Sequence, residues 1–389
     1  MASRTESSPR EHAVDALIVG AGAIGLACAW RAAERGLRVR VLEREAPGAG
    51  ASGVAAGMLA PVGEATWGED ELLALALASH SRWPRFAADL GAAAGREVGY
   101  LDLGALHVAL DRDEAEELRR RFELMRSLDL DAEWLRPRAA RALEPGLSPQ
   151  GNGAVHAPHE AAIDPRELVA ALRAAAERSG VEVETGAEVV EPIVDRDALA
   201  GVRTADGAEH RAGRTVLAAG AWSGRAGWLP EAARPPVRPV KGQILTLRGP
   251  APEPVCGRIV VTERIYIVPR ADGRLIVGAT VEEIGFDTRI TAGGVHELLR
   301  EAYRALPDIA ELELVETIAG LRPGTPDNAP LLGAGELPGL VYATGHFRNG
   351  ILLAPVTADA VAAILAGEDP DADLTAFAPS RFAREEVAA

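Results

Sequence analysis

Apolar positions along the chain fall into two patterns. Short runs without polar interruption, ALIV (16–19) and TVLAA (215–219), sit beside glycines and suit strands buried on both faces of a parallel sheet. Longer stretches alternate, RPVKGQILTL (238–247) and RIVVTERIYIVPRADGRLIVGAT (258–280), as antiparallel strands covered on one face do. Asp272-Gly273 supplies a hairpin turn in the second of them, and Asp206-Gly207 supplies another ahead of Thr215. YLDLGALHVAL (100–110) reads as two short strands around Gly104, and VEVETGAEVVEPIVD (181–195) as two more.

Helical spacing recurs between these strands. Leu72, Leu73, Ala76 and Leu77 form a stripe within 69–90, where Pro84 is expected to kink or divide the helix. Residues 111–130 open on acidic side chains that favour the helix dipole. Around 165–179, Asp164 is a good N-cap, Pro165 suits the first position and Glu167 completes a capping-box-like arrangement. A further helix is expected over 293–309. The mixture predicts an α/β (α+β two-domain) protein, with a Rossmann-like doubly wound sheet beside a mainly antiparallel β domain.

One stretch carries more than periodicity. DALIVGAGAIG (15–25) places Gly20, Gly22 and Gly25 in G-x-G-x-x-G spacing directly after a buried strand. Gly20 permits the tight turn, Gly22 lets backbone approach a pyrophosphate, and Gly25 lets the next helix pack close. That helix, from about Ile24 to Arg35, aims its N-terminal N–H groups at the phosphates, and Gly36 ends it. The strand LRVRVLE (37–43) closes on Glu43, where a carboxylate can accept hydrogen bonds from a ribose diol. The order strand, turn, helix, strand, carboxylate predicts a dinucleotide site. The small-residue loop 50–61 that follows suits close backbone contact with a large, permanently held cofactor rather than a nicotinamide.

Composition narrows the class. The 389 residues, 48% hydrophobic and 25% charged, are those of a globular protein large enough for two domains. A net charge of −16 argues against nucleic acid and anionic membrane surfaces. Two cysteines imply no disulfide framework and fit a reducing cytoplasm; no apolar run has the length of a membrane span. His156 and His159 in HAPHE are separated by Pro158, have no third ligand nearby, and read as surface-loop residues rather than a metal pair.

The motifs GAGAIG (20–25), Glu43 with Arg44, GASGVAAGMLAP (50–61), GLRPGTPDNAPLLG (320–333) and GHFRNGILLAP (345–355) resemble those of the FAD-dependent D-amino acid oxidase family, closest to its bacterial glycine oxidase branch. The resemblance implies non-covalent FAD held by Gly20, Gly22, Ala23, Ile24 and Gly25, by Glu43 and Arg44, and by Ala51, Ser52, Ala56, Gly57 and Met58. It adds backbone at Val189 against the adenine, the turn at Gly220, and Gly345, His346, Phe347, Arg348, Asn349, Gly350, Ile351 and Leu352 around the flavin. It implies a substrate carboxylate on Arg322, with Tyr266 assisting, Arg348 nearby and Arg264 sharing the tyrosine's face. Arg322 is placed in a loop after the strand LVETIAG (314–320).

The implied reaction is oxidative deamination of glycine, with hydride transfer to the flavin and reoxidation by dioxygen to hydrogen peroxide. Val281 departs from the family's bulkier residue, which leaves sarcosine and small D-amino acids as alternatives. A dehydrogenase passing electrons to another acceptor, and a non-catalytic flavin-binding subunit, are the rival readings. The family also implies a cytoplasmic homotetramer serving the thiazole branch of thiamine biosynthesis, with thiazole synthase as a recipient of product. The expected division assigns 14–90, 151–222 and 312–371 to the FAD domain, 91–150 and 223–311 to the substrate domain, and 1–13 and 372–389 to flexible or peripheral tails.

Overall fold

The computed structural model describes residues 14–249 and 255–382. The expected tails 1–13 and 383–389 lie outside the described residues. Residues 372–382 are not a loose tail: Phe377 is buried, and Arg381 bonds Asp327 and the Ala329 carbonyl.

The short apolar runs form the parallel sheet. Five strands lie in the order Glu182–Thr185, Val39–Glu43, Val14–Val19, Glu209–Leu217, Leu340–Thr344, all parallel, with Leu331–Ala334 antiparallel at one edge. Alternation along the first strand sorts its side chains between two cores. Ala16 and Ile18 meet the helices Ala23–Glu34, Asp70–Ala94, Pro165–Arg178 and Ala354–Ala366. Leu17 and Val19 meet Leu199, Val202 and Trp228 on the opposite face. That face is closed by an antiparallel arm, Val189–Asp195 and Ala198–Thr204, and by the irregular segment around Trp228.

Here the hairpin strand and the buried strand expected separately around Asp206-Gly207 prove to be one. Glu209–Leu217 pairs antiparallel with the arm through its first residues and parallel with the sheet through its last.

The helix Asp70–Ala94 runs unbroken through Pro84, contrary to the expected division. Its packing outweighs the lost N–H: the buried Phe86 ring meets both Trp30 and Trp83 edge-to-face at 5.3 Å, contacts worth about 0.5–1.5 kcal/mol each beyond burial. Trp83 Nε1 also donates to the Leu352 carbonyl at 2.9 Å, tying the helix to the C-terminal motif.

The alternating stretches form a second, eight-stranded sheet. Its order is Glu313–Gly324, Arg238–Arg248, Arg274–Gly278, Tyr266–Pro269, Ile259–Val261, Ala105–Ala109, Gly153–Ala157, Glu133–Leu135. All neighbours are antiparallel except Ile259–Val261 with Ala105–Ala109. The helix Ala292–Ala305 covers one face through Leu298, Ala302 and Ala305. This pairing bears on two of the expected boundaries. Gly153–Ala157 and Glu313–Gly324 fall in segments assigned to the cofactor domain, yet both hydrogen-bond into the antiparallel sheet. Strand partnership is set by long-range register, which a linear division cannot show.

The two short strands around Gly104 also part company. Tyr100–Asp102 joins a three-stranded sheet with Met58–Leu59 and Ala161–Ile163, while Ala105–Ala109 enters the large one.

Candidate active site

A single long cleft of about 370 Å³ runs between the glycine turn and the antiparallel sheet. At its entry the backbone explains the glycines. Gly20 has φ +110°, and a Cβ there would lie 2.5 Å from the Ala218 oxygen. A Cβ on Gly25 would strike the Gly20 carbonyl, so Gly25 sits behind the turn and does not line the cleft. Gly22 is the N-cap of Ala23–Glu34 and offers no side-chain cap, which leaves a helix N-terminus facing the cleft through Gly22, Ala23 and Ile24. Ser52 Oγ accepts from the Ala23 N–H at 3.0 Å. Glu43 braces the turn through Ala21 N–H at 2.8 Å and accepts Glu45 N–H at 2.9 Å, while its carboxylate keeps further lone pairs for a diol.

Arg44 lies 4.6 Å over the Trp222 ring, and Val189 and Gly220 line the same end. Ala51, Ser52, Ala56, Gly57 and Met58 line the middle. Gly57 has φ +72°; its carbonyl accepts from Ile163, and Arg270 donates to the Ala56 carbonyl at 2.5 Å. At the far end stand Gly345, His346, Phe347, Arg348, Asn349, Gly350, Ile351 and Leu352. Phe347 takes φ +46° and is fixed by its N–H on the Pro323 carbonyl at 3.0 Å. His346 is buried with Nε2 on Thr357 Oγ1 at 3.1 Å, and burial pushes its pKa down to about 3, so the ring is neutral. The positive pole of Ala354–Ala366 starts directly after this motif.

The end expected to hold the substrate is built on the antiparallel sheet. Arg322 lies within the strand Glu313–Gly324, not in a loop as expected. This strand is the sheet edge, where Pro323 costs no ladder bond on its open side. Arg322 Nη1 donates to the Thr280 carbonyl at 3.1 Å and the Lys241 carbonyl at 3.4 Å. Tyr266 begins the strand Tyr266–Pro269, and its phenol pKa is raised by burial and pulled back by the adjacent Arg322 guanidinium. Both side chains rest on glycines. A Cβ on Gly242 would come within 2.5 Å of Arg322 Nη2, and one on Gly278 within 2.5 Å of Tyr266 Cε2. Arg348 pairs with Glu64 at 3.5 Å.

Every expected cofactor residue except Gly25 therefore lines one cleft, with Tyr266, Arg322 and Arg348 at one end. Arg264 does not join them: it is exposed in the turn before the tyrosine strand. His159 pairs with Asp131 at 3.0 Å, and His156 lies on Gly153–Ala157, a strand rather than a loop; among the described residues no cluster suits a metal. Sequence reading missed Glu64, Gly242 and Gly278. A glycine inside an alternating strand signals close approach, so the two glycines were open to inference.

The match to a family model completes the picture: residues 15–364 fit the DAO model, described as FAD dependent oxidoreductase. The chain belongs to this family of FAD-dependent oxidoreductases. It is 35% identical over 372 residues to the glycine oxidase of Geobacillus kaustophilus, covering 95% of this chain and 97% of that protein. The crystal structure of glycine oxidase from that organism matches with a TM-score of 0.88 and 36% identity, over 95% and 99% of the two chains. The bifunctional protein ThiO/ThiG of Trichormus variabilis is 37% identical over 376 residues, which cover 95% of this chain and 55% of that protein. The chain thus spans about half the length of that relative. The cofactor is FAD, and the helix terminus at Gly22–Ile24, the Glu43 carboxylate and the cradle of glycines suit it. No helix among the described residues is long and apolar enough to cross a membrane.

Proposed function

We propose that the protein oxidises glycine, and with it other small amines such as sarcosine, to the imine, with dioxygen as electron acceptor. The observation that carries this reading is that Arg322 and Tyr266 line the same cleft as Ala56–Met58 and His346–Leu352, the segments assigned to the flavin. FAD, when bound, supplies a two-electron acceptor for the hydride on the substrate Cα. The residues do the positioning. Arg322 takes the carboxylate through charge-assisted hydrogen bonds, its Nη1 already held by two backbone carbonyls. Tyr266 stays protonated because burial raises its phenol, and so can donate to the same carboxylate. His346 is neutral, and the N-terminus of Ala354–Ala366 provides positive potential beside the motif. The Glu64 carboxylate at this end is paired with Arg348, and the proposed step assigns no side chain as general base. The reaction then depends on orientation of an amine that has lost its proton.

The two sheets are read as the cofactor-binding and substrate-binding halves, with the boundaries moved to follow strand pairing. A role in thiazole assembly with delivery to thiazole synthase is supported by the ThiO/ThiG relative, and cytoplasmic homotetramers by the family resemblance. Peroxide formed stoichiometrically with glycine consumed supports the oxidase reading. Flavin reduction by glycine without peroxide in air would replace it with a dehydrogenase using another acceptor.

A further inference from the structure

We infer that Glu64 sets how many carboxylates the cleft accepts, cancelling Arg348 so that a substrate may carry only one. The inference rests on the proposed reading in which Arg322 holds the substrate carboxylate. The charge inventory at this end of the cleft is short. Arg322 donates to two backbone carbonyls, lies beside the neutral Tyr266 phenol and, among the described residues, has no carboxylate partner, so its positive charge is not cancelled. Arg348 is different. Its Nη2 lies 3.5 Å from Glu64 Oε2, and both side chains line the cleft beside Tyr266. Among the described residues at this end, Arg322 is then the cation left for the ligand. A second carboxylate brought near Arg348 would meet the Glu64 carboxylate as well, and like-charge juxtaposition is an effective way to reject a ligand.

The loop carrying Glu64 is held for this role. Glu64 N–H donates to the Ala60 carbonyl at 3.1 Å. The preceding Gly63 N–H donates to Glu160 Oε1 at 2.5 Å, and Glu160 is 1% exposed. Arg121 donates to the Gly63 carbonyl, and the buried His107 ring, itself 3.4 Å from Glu160, occupies the space a Cβ on Gly63 would need. A carboxylate on a freely moving loop could turn away from an incoming anion. The backbone that carries this one is anchored at Gly63 by the buried Glu160 on its N–H and the half-buried Arg121 on its carbonyl.

Sarcosine and iminodiacetate test the filter, because they differ only by a carboxylate replacing a hydrogen of the N-methyl group. The unreactive thioethers methylthioacetate and thiodiacetate repeat the comparison as ligands, read by the shift in the flavin spectrum of the holoenzyme. Glu64→Gln should raise the preference for dicarboxylate over monocarboxylate by about tenfold in both pairs, and Glu64→Asp should stay close to the unmodified protein. In the unmodified protein, raising ionic strength should bind thiodiacetate relatively better, since salt screens a repulsion; this reading needs no variant to fold. An unchanged ratio in Glu64→Gln, or relatively weaker thiodiacetate binding at high salt, overturns the inference. Arg322→Ala separates the two levels. If it weakens methylthioacetate while Glu64→Gln leaves the ratio unmoved, only the filter fails; if it leaves methylthioacetate unaffected, the reading of the site fails with it.

Discussion

The glycine beneath Arg322 is the most exacting test of the substrate end. Gly242 has an ordinary backbone conformation, so alanine is tolerated there without backbone strain; the conflict is with the side chain above. Its Cβ would stand 2.5 Å from Arg322 Nη2 and 2.6 Å from Cζ. Ordinary contact requires the guanidinium to retreat by roughly 1 Å. That displacement breaks the 3.1 Å bond to the Thr280 carbonyl and misaims the remaining donors. Removing one partner of a buried charge pair costs about 2–5 kcal/mol. Displacing it should cost part of that, about 1.5–3 kcal/mol, or roughly 10–100-fold in affinity. Gly242→Ala is therefore expected to fold, hold flavin in full stoichiometry, and bind glycine or methylthioacetate 10–100-fold more weakly by anaerobic titration. Unchanged affinity with full flavin content would refute the placement of Arg322 as the carboxylate anchor.

Other expectations follow from the same structure. Arg322→Ala should weaken substrate binding by about 2–5 kcal/mol with flavin retained, checked by the same titration. His346 is neutral when folded, with its pKa at about 3 against roughly 6.5 in the unfolded chain. Its contribution is complete above pH 6.5 and is lost as pH falls toward 3, about 2–3 kcal/mol between pH 6.5 and 4.5. Denaturant midpoints of His346→Asn should show a flatter pH slope; parallel slopes would contradict this. Asp164 caps Pro165–Arg178 and pairs with Arg274 at 2.9 Å and the buried Arg270 at 3.7 Å. Burial raises its carboxyl, but Arg270, the Arg166 N–H and Arg274 outweigh it and leave the pKa lowered. Its stabilisation is present above the unfolded value near 3.9 and lost as pH falls through the lower folded one. Asp164→Asn should cost about 3 kcal/mol at neutral pH by thermal or denaturant unfolding, while leaving the cap hydrogen bonds.

Much of the fold was open to inference where one residue type alone satisfies the backbone. The turn at Gly20–Gly25 is such a case, because Gly20 needs a positive φ and Gly25 has no room for a Cβ. Hairpins at Asp206-Gly207 and Asp272-Gly273 also formed where turn chemistry placed them. What escaped was set by distant partners. Arg322 read as a loop residue because Pro323-Gly324 breaks most strands, yet an edge strand tolerates them. Pro84 read as a breaker, but buried Trp83 and Phe86 hold the helix on both sides of it. Glu64 had no local signal: its position comes from Glu160 gripping the N–H of Gly63, ninety-seven residues away from that glycine. The pairing of 153–157 and 313–324 with the antiparallel sheet escaped for the same reason, since each strand joins the sheet of its hydrogen-bonding partner.

The central claim is that a small amino acid, fixed by Arg322 and Tyr266, gives up two electrons to bound FAD. The most direct measurement is the visible spectrum of the purified holoprotein before and after anaerobic glycine, followed by admission of air. The account predicts loss of the oxidised flavin band, its return in air, and one hydrogen peroxide for each glycine consumed. A flavin band that glycine, sarcosine and small D-amino acids all leave unchanged would contradict it.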